Sequence, residues 1–120
     1  MNVKFESKIT AVGKMAQQFL DNNSSFILMN EGSHPNLSDM VVRHTIVDLQ
    51  EDIVVGDILK VGRTEMKILK VGEAVNKNIR AEGHCTVVVN GEGTMPGQVV
   101  VKSDIPPRLR LGNEITFYSK

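Results

Sequence analysis

The side chains best suited to covalent or metal chemistry are few: His34, His44, His84 and Cys85. Zinc ligation by the three histidines would need convergence from distant segments, with no HxH, HExxH or CxxC spacing anywhere. A serine hydrolase would want a GxSxG elbow, which is absent, and carboxylate pairs such as Asp48 with Glu51 or Glu51 with Asp52 are ordinary in turns. The stretch "GEGTMPG" lacks the Lys-Ser/Thr of a phosphate loop, and no helix follows to offer its amino end. His34 in "EGSHPN" precedes a proline in a polar loop and reads as a solvated side chain. Cys85, the only cysteine, cannot form an internal disulfide; before "TVVV" it reads as a small apolar strand residue, in keeping with a reducing cytoplasm. This inventory calls for no cofactor and no metal.

His44 differs because of its setting. In "DMVVRHTIVDLQEDIVVGD", residues 39 to 57, strand alternation puts Met40, Val42, His44 and Ile46 on one face and Val41, Arg43, Thr45 and Val47 on the other. His44 points the apolar way. An imidazole with an unperturbed pKa of about 6.5 keeps an unprotonated ring nitrogen at neutral pH and can serve as a nucleophile. A core histidine with its polar atoms hydrogen-bonded is the competing reading, and periodicity does not decide between them. A nucleophile is expected to be partly exposed, so that its removal leaves folding nearly intact.

The elements that must position these residues are mostly strands. Eight β-type runs separated by turn residues lie at 3–12, 25–30, 41–47, 57–62, 65–72, 84–90, 97–102 and 114–118. Two short helical patterns intervene. "GKMAQQFLDNN" places Met15, Ala16, Phe19 and Leu20 on one face, and "GEAVNKNIRAEG" places Val75, Asn78 and Ile79 on another. Gly83 suits a left-handed residue ending the second helix, with His84 opening a strand. Gly62 suits a tight turn, and "NGEGTMPG" reads as a long hairpin loop. The fold expected is mainly β, a small closed or partly open β-barrel with two short helices, because closure leaves no unpaired edges.

The chain of 120 residues reads as one domain, 1–120, with no shift of composition to mark a boundary. Fourteen basic residues balance fourteen acidic ones, and four phenylalanines with one tyrosine and no tryptophan offer no stacking platform. Nucleic acid is therefore not an expected partner. No window is apolar enough to span a membrane and no secretory leader is evident, so a soluble, cytoplasmic protein without direct membrane insertion is expected.

Several blocks together carry a family likeness. The runs "RHTIVDL", "VVGD", "KILKVGEAVNKNIRAEGH", "MPGQVVV" and "LRLGNEITF" resemble the glucitol/sorbitol-specific IIA component of the bacterial phosphoenolpyruvate-dependent sugar phosphotransferase system. Val71-Gly72, Asn78, Gly83 and His84 match most specifically, with Pro96, Gly97, Val99 and Val101. The resemblance implies a phosphocarrier that takes a phosphoryl group from phospho-HPr on a histidine and passes it to the cysteine of a IIB domain for sugar-alcohol uptake. His44 aligns with the phosphoryl acceptor. His84 matches a family histidine and is a candidate donor to the phosphoryl oxygens, with a strand-start cap as the alternative. Asp48 stands where the family has a carboxylate and is a candidate to orient the tautomer of His44, against a solvated acid at a strand end. Arg43 is a second-tier candidate to screen the phosphate. After the histidine this chain has Thr45-Ile46-Val47, where the family pattern admits more polar residues. The implied partners are HPr and a IIB domain of a glucitol-type permease; apart from the resemblance, the apolar first strand could pair between copies, so a homodimer is a further expectation. A non-catalytic β-barrel interaction module of the same fold is the alternative reading, and a small metal-binding protein a third.

Overall fold

In the computed structural model, all 120 residues are described. The strands are β1 (Asn2–Val12), β2 (Ser25–Asn30), β3 (Val41–His44), β4 (Ile58–Val61), β5 (Thr64–Val71), β6 (Cys85–Val89), β7 (Gln98–Lys102) and β8 (Glu114–Ser119). The helices α1 (Ala16–Asn23) and α2 (Val75–Glu82) follow β1 and β5. The strands close into a barrel in the order β1-β3-β2-β6-β7-β5-β4-β8.

The interior is built by alternation. Phe5 and Ile9 of β1, Phe26 and Leu28 of β2, and Val42 of β3 turn inward. From the other side come Leu59 and Val61, Met66 and Ile68, Cys85, Val87 and Val89, Val99 and Val101, and Ile115 with Phe117. Each strand thus turns every second residue inward, as a packed small barrel requires, and β6, β7 and β8 bury intervening residues as well. The 11-residue β1 closes the ring: its C-terminal part pairs with β3 (Ile9 opposite His44) and its N-terminal part with β8 (Lys8 opposite Glu114), with a bulge in each ladder. Such irregularities bend a strand enough to serve two neighbours.

All eight expected strands and both helices are present, in the expected barrel. Two local readings need correction. The third strand stops at His44 rather than at residue 47, and 45–57 is a loop. Its apolar residues are real, but Leu49 and Ile53 are buried as a plug across the barrel end, whereas Ile46 is 66% exposed. The segment "NGEGTMPG" is no hairpin loop: β6 and β7 run parallel, and residues 90–97 return the chain to the same end. Alternating burial marks a strand without marking its direction. Eight residues reach about 26 Å when extended, ample to retrace a five-residue strand. The pair β2–β3 is parallel too, with its return through residues 31–40. On α1, Ala16 and Leu20 are buried as expected, while Met15 stays 45% exposed because the helix starts one residue after it.

Candidate histidine site at the plugged end of the barrel

His44 is the last residue of β3, and its inward position is the one after Val42 in the alternation. Its side chain is therefore carried into the barrel, where it is 0% exposed. This corrects the expectation of a partly exposed ring: alternation from Val42 leaves no other direction. Phe5 meets it edge-on, with ring centroids 5.6 Å apart at 85°.

Both ring nitrogens face backbone carbonyls. Nδ1 lies 2.9 Å from the oxygen of Thr45, and Nε2 lies 2.8 Å from the oxygen of Gly83. A neutral imidazole owns one N–H, so it satisfies one carbonyl and turns its lone pair on the other. The carbonyls differ in origin. Thr45 is the next residue in the chain and moves with the ring, whereas Gly83 belongs to the turn between α2 and β6.

That turn depends on glycine. Gly83 caps α2 in the left-handed region, φ 61° and ψ 23°, as its sequence position suggested, and its N–H reaches the oxygen of Ile79 at 2.9 Å. A β-carbon there would stand 2.0 Å from Asn30 Oδ1 and 2.7 Å from His44 Cε1. Only a residue without a side chain lets the turn approach the ring this closely.

The loop 45–57 leads off from His44 and is tied down on two sides. Thr45 N–H donates to the oxygen of Lys8, and Gln50 N–H to that of Lys4. Ile53 N–H donates to Asn76 Oδ1 at 2.7 Å, and Asn76 Nδ2 returns a bond to the oxygen of Ile53 at 3.1 Å. Lys4 and Asp57 form a buried ion pair at 2.8 Å, in which Lys4 also donates to the oxygen of Asp52 and Asp57 also accepts from Val54 N–H.

The remaining candidates are placed less directly. His84 is half-buried, and its N–H donates to the oxygen of Asn78 at 3.3 Å. It adjoins the site through Gly83, but no hydrogen bond joins its ring to His44. Asp48 is exposed and is not brought to the ring, because the strand ends at His44 and Thr45 supplies the oxygen at Nδ1. Arg43 points to the opposite face, as alternation required, and is spent on the 33–38 segment through the oxygens of Ser33 and His34 and Ser38 Oγ. His34 faces Glu82, 3.3 Å away, at the end of α2. Cys85 lies wholly inside, and burial pushes its thiol up to about 12 from 9.0. Asn30, which sequence reading passed over as the end of an apolar strand, is the residue directly opposite His44 on β2.

Fold and site together define a closed β-barrel that carries an imidazole inside it at a strand end, with the buried Cys85 thiol held in its protonated form by burial. The comparisons with known proteins then say which such barrel this is. The model of the glucitol/sorbitol-specific IIA component of the phosphotransferase system matches residues 4–116, and the chain belongs to that family. It is 26% identical over 121 residues to the glucitol/sorbitol-specific EIIA component of Shigella flexneri, covering 99% of this chain and 98% of that one. The component from Escherichia coli strain K12 matches equally, at 26% over 121 residues. A crystal structure of a phosphotransferase-system IIA component from Enterococcus faecalis V583 superposes with a TM-score of 0.85 and 26% identity, covering 95% of this chain and 99% of that one. No helix is long and apolar enough to cross a membrane.

Proposed function

We propose that His44 is the residue through which this phosphocarrier of the phosphotransferase system works, residues 1–120 acting as one domain. It accepts a phosphoryl group from the phosphohistidine of HPr and passes it to the cysteine of a IIB domain in a glucitol-type permease. The observation that carries this reading is an imidazole set where the barrel's alternation calls for an aliphatic residue, with one nitrogen against a carbonyl of the turn between α2 and β6.

The chemistry follows from that pairing. In the tautomer whose Nδ1–H donates to the Thr45 oxygen, the ring keeps its lone pair on Nε2. When the Gly83 carbonyl withdraws, Nε2 attacks the phosphorus of the incoming phosphohistidine in line. The new N–P bond forms as the donor's P–N bond breaks and that electron pair returns to the donor ring. Delivery to the IIB thiolate repeats the step with His44 as leaving group. Transfer of this kind needs positioning and donors to the phosphoryl oxygens more than acid–base work, with the histidine as covalent intermediate. Thr45, not Asp48, orients the tautomer in this scheme, and His84 remains a candidate donor once the turn opens.

One observation favours the second reading, a non-catalytic interaction module of the same fold: the ring is wholly buried and both nitrogens are engaged. Incubation with phosphoenolpyruvate, enzyme I and HPr, followed by intact mass, separates the two. A gain of one acid-labile, base-stable phosphoryl group supports the carrier; no gain supports the module.

A further inference from the structure

We infer that Asn30 is the second residue of the transfer site, a donor to the phosphoryl oxygens carried by His44; the inference rests on His44 being the acceptor. The register places it. Asn30 is the Cα partner of His44 in the parallel β2–β3 ladder, so the two side chains leave neighbouring strands on the same face. Both are also the last residues of their strands, at the plugged barrel end.

The close approach at Gly83 adds geometry. The point where a β-carbon on Gly83 would stand is 2.0 Å from Asn30 Oδ1, 2.6 Å from its Cγ and 2.7 Å from His44 Cε1. The asparagine amide and the edge of the ring thus pack on one residue, the one whose carbonyl covers Nε2. A phosphoryl group on Nε2 takes the space of that carbonyl, and its oxygens meet what now packs on Gly83. Asn30 is such a group.

The amide is also uncommitted. Asn30 Oδ1 is buried without a hydrogen-bond partner, although folded chains pair nearly all such atoms. Leu or Val would end the run "SFILM" without that penalty. A half-turn of the carboxamide exchanges oxygen for nitrogen in the same place, and the Nδ2–H then points where charge arrives during transfer. The bonds made and broken are those between the two histidines and phosphorus; Asn30 lends only a hydrogen bond.

The test compares wild type with Asn30→Asp, which keeps the shape and replaces the donor with a negative oxygen, and Asn30→Ala, which removes both. Phospho-HPr is the donor. The readouts are the initial rate of acid-labile phosphoryl uptake per folded molecule, the lifetime of the phosphorylated form at neutral pH, and the melting temperature. Loss of a preorganised donor lowers such rates by roughly 100-fold or more, so Asn30→Ala is expected to slow uptake by that order and Asn30→Asp further still. A merely structural asparagine would lower melting while leaving the rate per folded molecule unchanged, and that result overturns the inference. So does a folded Asn30→Asp that labels at the wild-type rate, even if Asn30→Ala fails to fold. If wild type takes no label, or labels equally well after His44→Ala, the acceptor assignment itself has failed and Asn30 falls with it.

Discussion

His44 presents both nitrogens to carbonyls and Gly83 brings one of those carbonyls within 2.8 Å, so the turn before β6 is where the site must open. Gly83→Ala puts a methyl group into Asn30 and the ring while straining a residue at φ 61°. We expect it to destabilise the fold by about 1–3 kcal/mol, read from urea midpoints, and to lower labelling of the folded fraction. Cys85 makes a second residue-scale expectation. Its folded thiol is raised to about 12, whereas the unfolded one ionises near 9.0. Its contribution to stability is therefore complete below pH 9.0 and lost as pH rises toward about 12. Urea titrations from pH 8 to 11 should show that extra slope in wild type and its absence in Cys85→Ala; equal slopes would contradict it. At this scale His44, Gly83 and Cys85 were legible, because an odd residue in an apolar alternation, a glycine after a helical pattern and a thiol before valines each carry a local signal. Asn30 was not, since an asparagine that ends an apolar β-run carries no chemical signal of its own and only the register shows what stands opposite. Asp48 stands exposed in the loop 45–57, in line with its reading as a solvated acid, because the strand stops at His44.

The loop 45–57 leads directly off His44 and buries Leu49 and Ile53 in the core, and the Lys4–Asp57 pair is its buried anchor. Both side chains are about 5% exposed or less, and both have further hydrogen bonds. Removing one partner leaves a buried charge alone, so Asp57→Ala is expected to cost about 3–5 kcal/mol, whereas replacing both by apolar residues costs less than the two single changes together. A double-mutant cycle in urea measures this, and strict additivity would contradict it. The elements themselves could be read because period-two burial is a local property. The plug could not: Leu49 and Ile53 look like strand residues until closure of the barrel leaves an end to be filled. The parallel course of β6 and β7 was hidden for the same reason, since direction is set by packing across the sheet.

On the scale of the whole molecule, equal numbers of charges and a barrel without open edges suit a protein that meets partners briefly. A carrier that must release HPr before meeting a IIB domain needs small interfaces, below about 1,200 Å² in total. HPr and this chain should therefore leave a gel-filtration column separately at micromolar concentration, and a complex that survives would contradict a relay role. The proposed homodimer is answered by light scattering of the same sample.

The central claim is that His44 carries the phosphoryl group, and peptide mapping after labelling by phospho-HPr tests it most directly. If the claim holds, one acid-labile, base-stable phosphoryl group maps to the peptide containing His44. His44→Ala then loses the label entirely, and because the ring is buried and hydrogen-bonded it also loses about 1–3 kcal/mol of stability. A folded His44→Ala protein that still takes up an acid-labile group at the wild-type rate, or a label that maps to His84 or His34, would contradict it.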